Sequence, residues 1–105
     1  MAKRKKPPAG SRFGGGGFQD PSTWLPGFVS YLEAECGMSP NTVAAYRRDL
    51  TKFFNWNKDN ARKTVHQVDI ETLTSFLEFL QDSGLASTSV ARNLAAIRMF
   101  FRYLM

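Results

Sequence analysis

Between Leu25 and Leu104 the apolar residues recur at three- and four-residue intervals in four separate runs, and nowhere do they alternate as a half-buried strand requires. Leu25, Phe28, Val29, Leu32 and Cys36 form the first stripe, and Gly37 is placed to end it. The second, from about Pro40 to Asn57 or Lys58, carries Val43, Tyr46, Leu50, Phe53 and Phe54. Asp69 is a natural N-cap for the third stripe of Ile70, Leu73, Phe76, Leu77 and Leu80, which Gly84 closes. Ser87 is the expected cap of the fourth, with Val90, Leu94, Ile97, Phe101 and Leu104. Each run offers one face for burial, so the pattern predicts an all-α fold, a compact bundle of four helices.

The segments between the stripes set the boundaries. Asp20-Pro21 can open the first helix, although Pro26 moves the regular part towards itself. The polar stretch Lys58–Thr64 breaks the second pattern and reads as a loop. Residues 1–20 combine a Lys/Arg cluster, Pro7-Pro8 and Gly14–Gly17, the composition of a disordered basic tail that can add phosphate contacts. Residues 21–105 are then one small folded domain, for which nine Phe supply ample core material. A single cysteine, Cys36, makes no intrachain disulfide and fits a reducing cytoplasm. No run of eighteen apolar residues spans a membrane. The basic N-terminus leads into glycines rather than an apolar segment, unlike a secretory signal.

The second helix begins with unusual clarity. Ser39 can accept a hydrogen bond from a first-turn amide, and Pro40 sits where a missing N–H costs nothing. Opposite its apolar stripe lie Asn41, Ala44, Ala45, Arg48 and Lys52. A face of small residues and cations can come close to an anionic partner, and DNA is the first candidate.

Charge distribution strengthens this reading more than total charge does. Of the net +5, four charges fall in residues 1–20, where Lys3, Arg4, Lys5, Lys6 and Arg12 face only Asp20. Within the domain, the first and third helices carry Glu33, Glu35, Asp69, Glu71, Glu78 and Asp82 with no Lys or Arg. The second carries Arg47, Arg48, Lys52 and Lys58 against Asp49, and the fourth carries Arg92, Arg98 and Arg102 with no acid. If these two helices share a side of the bundle, one face is basic, as phosphate contact requires.

Catalytic chemistry is missing from the sequence. His66 is the single histidine and Cys36 is distant from it, so no metal-ligand spacing exists. No elbow or oxyanion loop surrounds a nucleophile, and Gly14–Gly17 lacks the Lys-Ser/Thr of a phosphate loop. No cofactor or metal is expected, and no catalytic residue.

Two motifs resemble a known family. The pattern Ser39-x-x-Thr42-x-x-x-Tyr46-x-x-Asp49-Leu50 is similar to the second helix of the core-binding, SAM-like domain of tyrosine recombinases, especially the Xer type. Ser87-x-Ser89-x-x-Arg92-x-Leu94-x-Ala96-Ile97-Arg98-x-Phe100-Phe101-x-Tyr103-Leu104 is similar to that domain's fourth helix. The Gly37-Met38-Ser39 junction and Val68-Asp69-Ile70 also fit, and the resemblance runs from about Trp24 to Leu104.

The resemblance implies a domain that clamps a recombination half-site of double-stranded DNA through its second and fourth helices. Thr42 and Ala45 match positions facing the major groove, and Arg47, Arg48 and Lys52 match backbone contacts. Ser87, Ser89, Arg92 and Arg98 match the DNA side of the fourth helix. Arg47 and Arg98 flank their stripes, where either can turn back towards an acid. Tyr46 reads as core. Met99 and Tyr103 are expected to point away from the stripe, as surface for a catalytic domain or a sister recombinase subunit.

That family's catalytic domain, with its Arg/His/Lys set and attacking tyrosine, is expected to be missing here. An end at Met105 reads as a cut before the interdomain linker or as a truncated gene. The implied setting is the cytoplasm, on the nucleoid, with no membrane partner. The competing expectation is a helical protein-interaction module anchored by Met99, Phe100 and Tyr103, with the arginines as solvating charge.

Overall fold

The computed structural model describes residues 18–105, and the expected basic tail lies outside them apart from its last three residues. Four α-helices follow one another: α1 Leu25–Ala34, α2 Pro40–Trp56, α3 Ile70–Asp82 and α4 Ser87–Leu104. No strand occurs among the described residues. The four-helix, all-α expectation therefore holds.

Local chemistry accounts for most helix ends. Asp20 accepts a hydrogen bond from the Ser22 amide at 3.0 Å and opens a 3-10 turn, Pro21–Trp24, that runs directly into α1. Ser39 caps α2 as its sequence requires, its hydroxyl accepting from the Thr42 amide at 3.3 Å. Asp69 caps α3 twice over, accepting from the Thr72 amide at 2.9 Å and from its hydroxyl at 2.7 Å. Gly37 follows α1 with φ +61°, a conformation that a side chain would strain.

Several sequence expectations are corrected. Ser87 does not cap α4: Ala86 occupies the cap position without a side-chain hydrogen bond, and Ser87 is the first helical residue. The chain does not enter a loop at Lys58, because Asn57–Ala61 continue α2 as a π-helical turn that stops at Arg62, in the left-handed region at φ 51°. Buried Asn57 stabilises this exit by donating to the Lys63 carbonyl at 2.8 Å and accepting from its amide at 2.9 Å. Cys36 is exposed because α1 ends at Ala34, after which the helical period no longer applies. Ile70 is 81% exposed, since the first residue of α3 projects beyond the bundle. Met99 and Tyr103 do not stand free. Both pack against the core, and Tyr103 lies 5.6 Å from Phe28 and 5.1 Å from Tyr31, ring to ring. A Cβ at Gly27 would come within 2.6 Å of the Tyr103 hydroxyl, so a larger residue there would require the Tyr103 ring to shift.

The core is a relay of phenylalanine rings. Phe28 of α1 meets Phe100 of α4 edge-on at 5.6 Å, and Phe100 meets Phe54 of α2 at 5.2 Å. Phe54 adjoins Phe53, which meets Phe76 of α3 at 5.1 Å. All five are buried, so one set of edge-to-face contacts links every helix. Leu32, Leu50, Leu80 and Ile97 fill the space around the rings.

Helices α2 and α4 make the most extensive contact in the bundle. A polar strut lies within it. Arg92 Nε donates to Asp49 Oδ2 at 2.8 Å, and Nη2 donates to Oδ1 at 3.2 Å. Asn93 Nδ2 adds a longer bond to Oδ1 at 3.4 Å and donates to the Ser89 carbonyl at 2.8 Å. Asp49 is 4% exposed, so its charge requires these partners. The Arg92 side chain remains 44% exposed. The carboxylate's hydrogen bonds and negative charge hold the guanidinium above its ordinary basicity.

The strut should respond asymmetrically to mutation. Arg92→Ala leaves a buried carboxylate with one long contact and is expected to cost about 3 kcal/mol. Asp49→Asn removes the buried charge and lets Arg92 return to water, at about 1 kcal/mol. Urea denaturation of both variants measures the order, and the reverse order would remove Asp49 as the critical buried charge. Asp69 gives a pH test. Its cap hydrogen bonds from Thr72 hold the carboxyl below its ordinary value of 3.8. The stabilisation is therefore complete above that value and is lost as pH falls through the lower folded-state value. Asp69→Ala should lower Tm at neutral pH, with the gap to the parent closing in acid; a pH-independent gap would contradict the ionic cap.

Candidate nucleic-acid interface

The basic face begins with the geometry of α2. Burying Val43, Leu50, Phe53 and Phe54 turns Thr42, Arg47, Arg48 and Lys52 outward, and all four are exposed. Ala44 and Ala45 are half-buried between them, leaving the backbone open to close approach. On α4, burial of Asn93, Ala96, Ile97 and Phe100 leaves Ser87, Arg92, Arg98 and Arg102 exposed, with Ser89 half-buried. Helix α2 packs on α4, so the two helices that carry the cations are neighbours in the bundle.

Of the nine residues singled out in the sequence, eight present accessible side chains without an ionic partner among the described residues, and Arg92 is the exception. The flanking positions Arg47 and Arg98 were the expected candidates for turning back to an acid. Instead Arg92 does so, and the acid is Asp49 on the basic helix itself. Counting Asp49 as surface charge against the α2 cations is therefore mistaken. The pair is neutral as a unit, and Arg47, Arg48 and Lys52 keep their full charge at the surface. Glu33 at the end of α1, Glu35 just beyond it, and Glu71, Glu78 and Asp82 on α3 are exposed.

Sequence reasoning missed one further element. A shallow groove of about 650 Å³ runs along the C-terminal half of α2, between Arg48, Lys52, Trp56 and Phe79 of α3. Phe79 is 42% exposed and lies beside Phe76 at 6.1 Å. Its position off the α3 stripe was the available signal. Trp56 is half-buried against Phe53 and Phe76. The groove thus has an aromatic wall and a cationic rim.

No cluster of metal-ligating side chains occurs among the described residues, and His66 is exposed. No described helix is long and apolar enough to cross a membrane. The anchor expected for a protein-interaction module is occupied internally, since Phe100 is fully buried and Tyr103 is stacked on α1.

Comparison with known proteins agrees with the motifs. The profile of the family described as "Phage integrase, N-terminal SAM-like domain" matches residues 25–105. Tyrosine recombinase XerC of Herpetosiphon aurantiacus is 40% identical over 77 residues, covering 73% of this chain and 25% of that protein. Tyrosine recombinase XerC of Chlorobaculum parvum is 35% identical over 88 residues, covering 78% and 26%. Tyrosine recombinase XerD of Bradyrhizobium diazoefficiens is 41% identical over 78 residues, covering 74% and 24%. The chain spans about a quarter of the length of these curated relatives. No solved structure gives a significant match. A match across more than three-quarters of the sequence, on a helical bundle whose motif residues fall on α2 and α4, places the chain in the family of N-terminal SAM-like domains of phage integrases, within the Xer-type tyrosine recombinases.

Proposed function

We propose that this chain is the core-binding part of a site-specific tyrosine recombinase and grips one recombination half-site of double-stranded DNA through α2 and α4. The observation that carries the reading is that α2 and α4 pack together and expose Arg47, Arg48, Lys52 and Arg98 without acidic partners among the described residues. Phosphate contacts dominate nucleic-acid affinity and need unpaired cations of this kind. Thr42, Ala45, Ser87 and Ser89 supply short side chains on the same helices, so the backbone can approach the groove that the cations flank.

In this reading the chain positions DNA and performs no bond cleavage. The nucleophilic tyrosine and its activating residues belong to a catalytic domain, and sister subunits on the same DNA complete the assembly. The compartment is the one that holds the chromosome, the cytoplasmic nucleoid. Residues 1–20 act as a basic arm that adds phosphate contacts without sequence preference.

Mobility-shift titration against a labelled DNA duplex tests the reading. With about five phosphates contacted, log K should fall against log salt with a slope of about −4.5. Arg48→Gln and Lys52→Gln should each weaken binding and flatten the slope by about one, with helicity unchanged. These positions are better probes than Arg92, because replacing Arg92 removes the partner of Asp49 and disturbs the strut as well as the surface. Absence of binding at low salt would overturn the proposal.

A further inference from the structure

The groups that pair with Asp49 leave one edge of Arg92 unused. Its Nε and Nη2 are engaged by the carboxylate, while Nη1 has no hydrogen-bond acceptor among the described residues. The side chain is 44% exposed, so Arg92 is accessible to solvent beside the α2–α4 contact. The carboxylate below it is itself fixed. Asp49 is buried, receives the Asn93 amide, and projects from the helix that packs most extensively on α4. A long arginine normally loses rotamer freedom on gripping a phosphate. Here two of its bonds have already removed that freedom.

We infer that Asp49 is a positioning residue for DNA, holding the Arg92 guanidinium along its Nε/Nη2 edge so that the Nη1 end meets a backbone phosphate. The inference rests on the proposed DNA-facing side and adds to it a role for a buried acid. A carboxylate near a DNA surface would ordinarily oppose binding by like charge. Its burial and twofold pairing convert it into a support: the guanidinium faces the phosphate, and the carboxylate stands behind it. Arg92 is then distinct from Arg48 and Lys52, which reach phosphate as flexible point charges. Geometry matters for Arg92, and charge alone suffices for the other two.

The test compares salt-dependent duplex binding of the 105-residue chain with that of four variants, each checked for helicity and Tm. Arg92→Gln should weaken binding roughly five- to tenfold and flatten the salt slope by about 0.9. Arg92→Lys keeps the charge and an ionic partner for Asp49, so the fold is retained, and it should lose nearly as much affinity as Arg92→Gln. Asp49→Asn should also weaken binding, and adding Arg92→Gln to it should cost less than about twofold more. Arg48→Gln reports on the face itself. If it weakens binding while Arg92→Lys binds like the parent, or while Asp49→Asn binds more tightly, the positioning role is overturned and the DNA face stands. If neither Arg48→Gln nor any Arg92 variant alters binding, the DNA face is wrong and the inference falls with it.

Discussion

A single buried carboxylate determines how the two basic helices meet. Asp49 stands one residue before fully buried Leu50, so the packing that buries Leu50 also takes Asp49 out of water. Its charge is tolerated because Arg92 offers two parallel donors and Asn93 a third, all from α4. Apolar contacts alone would let α2 and α4 slide or rotate at small cost, because apolar attraction is non-directional. A two-pronged ion pair has a narrow geometric optimum, so it fixes the register of the contact. Everything displayed on the outer side of the two helices inherits that register.

The aromatic relay supplies most of the cohesion that the strut directs. Phe28, Phe100, Phe54, Phe53 and Phe76 touch in sequence and are all buried. Four of the five rings were legible from the chain alone, because Phe28, Phe53, Phe54 and Phe76 fall in helical stripes; the α4 spacing selected Phe101, whereas its neighbour Phe100 is the buried ring. Legibility failed where the helical period stops applying. Cys36 continued the α1 spacing on paper, but the helix ended two residues earlier. Ile70 fitted the α3 spacing, yet a terminal residue has no neighbouring helix to cover it. Ser87 had the chemistry of a cap, whereas the chain entered α4 one residue sooner through Ala86.

The electrostatic reading was legible in its totals and not in its pairings. Segregation of acids from bases by helix could be counted, and the packing of α2 on α4 gave it spatial meaning. Which arginine would turn inward could not be counted. Asp49 and Arg92 are far apart in sequence, and their meeting depends on the crossing of two helices rather than on spacing within either. Angular position favoured Arg47 and Arg98 as the inward-turning residues. The decisive factor was instead the location of the buried acid. The groove beside Trp56 and Phe79 escaped for the same reason, since its two walls come from separate helices.

The same helix face separates affinity from sequence recognition. Arg47, Arg48 and Lys52 present charge, and charge reads the phosphate backbone without distinguishing bases. Base discrimination needs directional donors and acceptors, and the first turns of α2 offer few. Ala44 and Ala45 have none. Ser39 donates its hydroxyl to Thr42 Oγ1 at 3.0 Å while accepting the Thr42 amide, which leaves the Thr42 hydroxyl proton free to donate outward. One oriented hydroxyl and the exposed Asn41 amide are few directional groups among several cations, a narrow basis for reading a long sequence. On the DNA-binding reading, α2 therefore contributes grip and register.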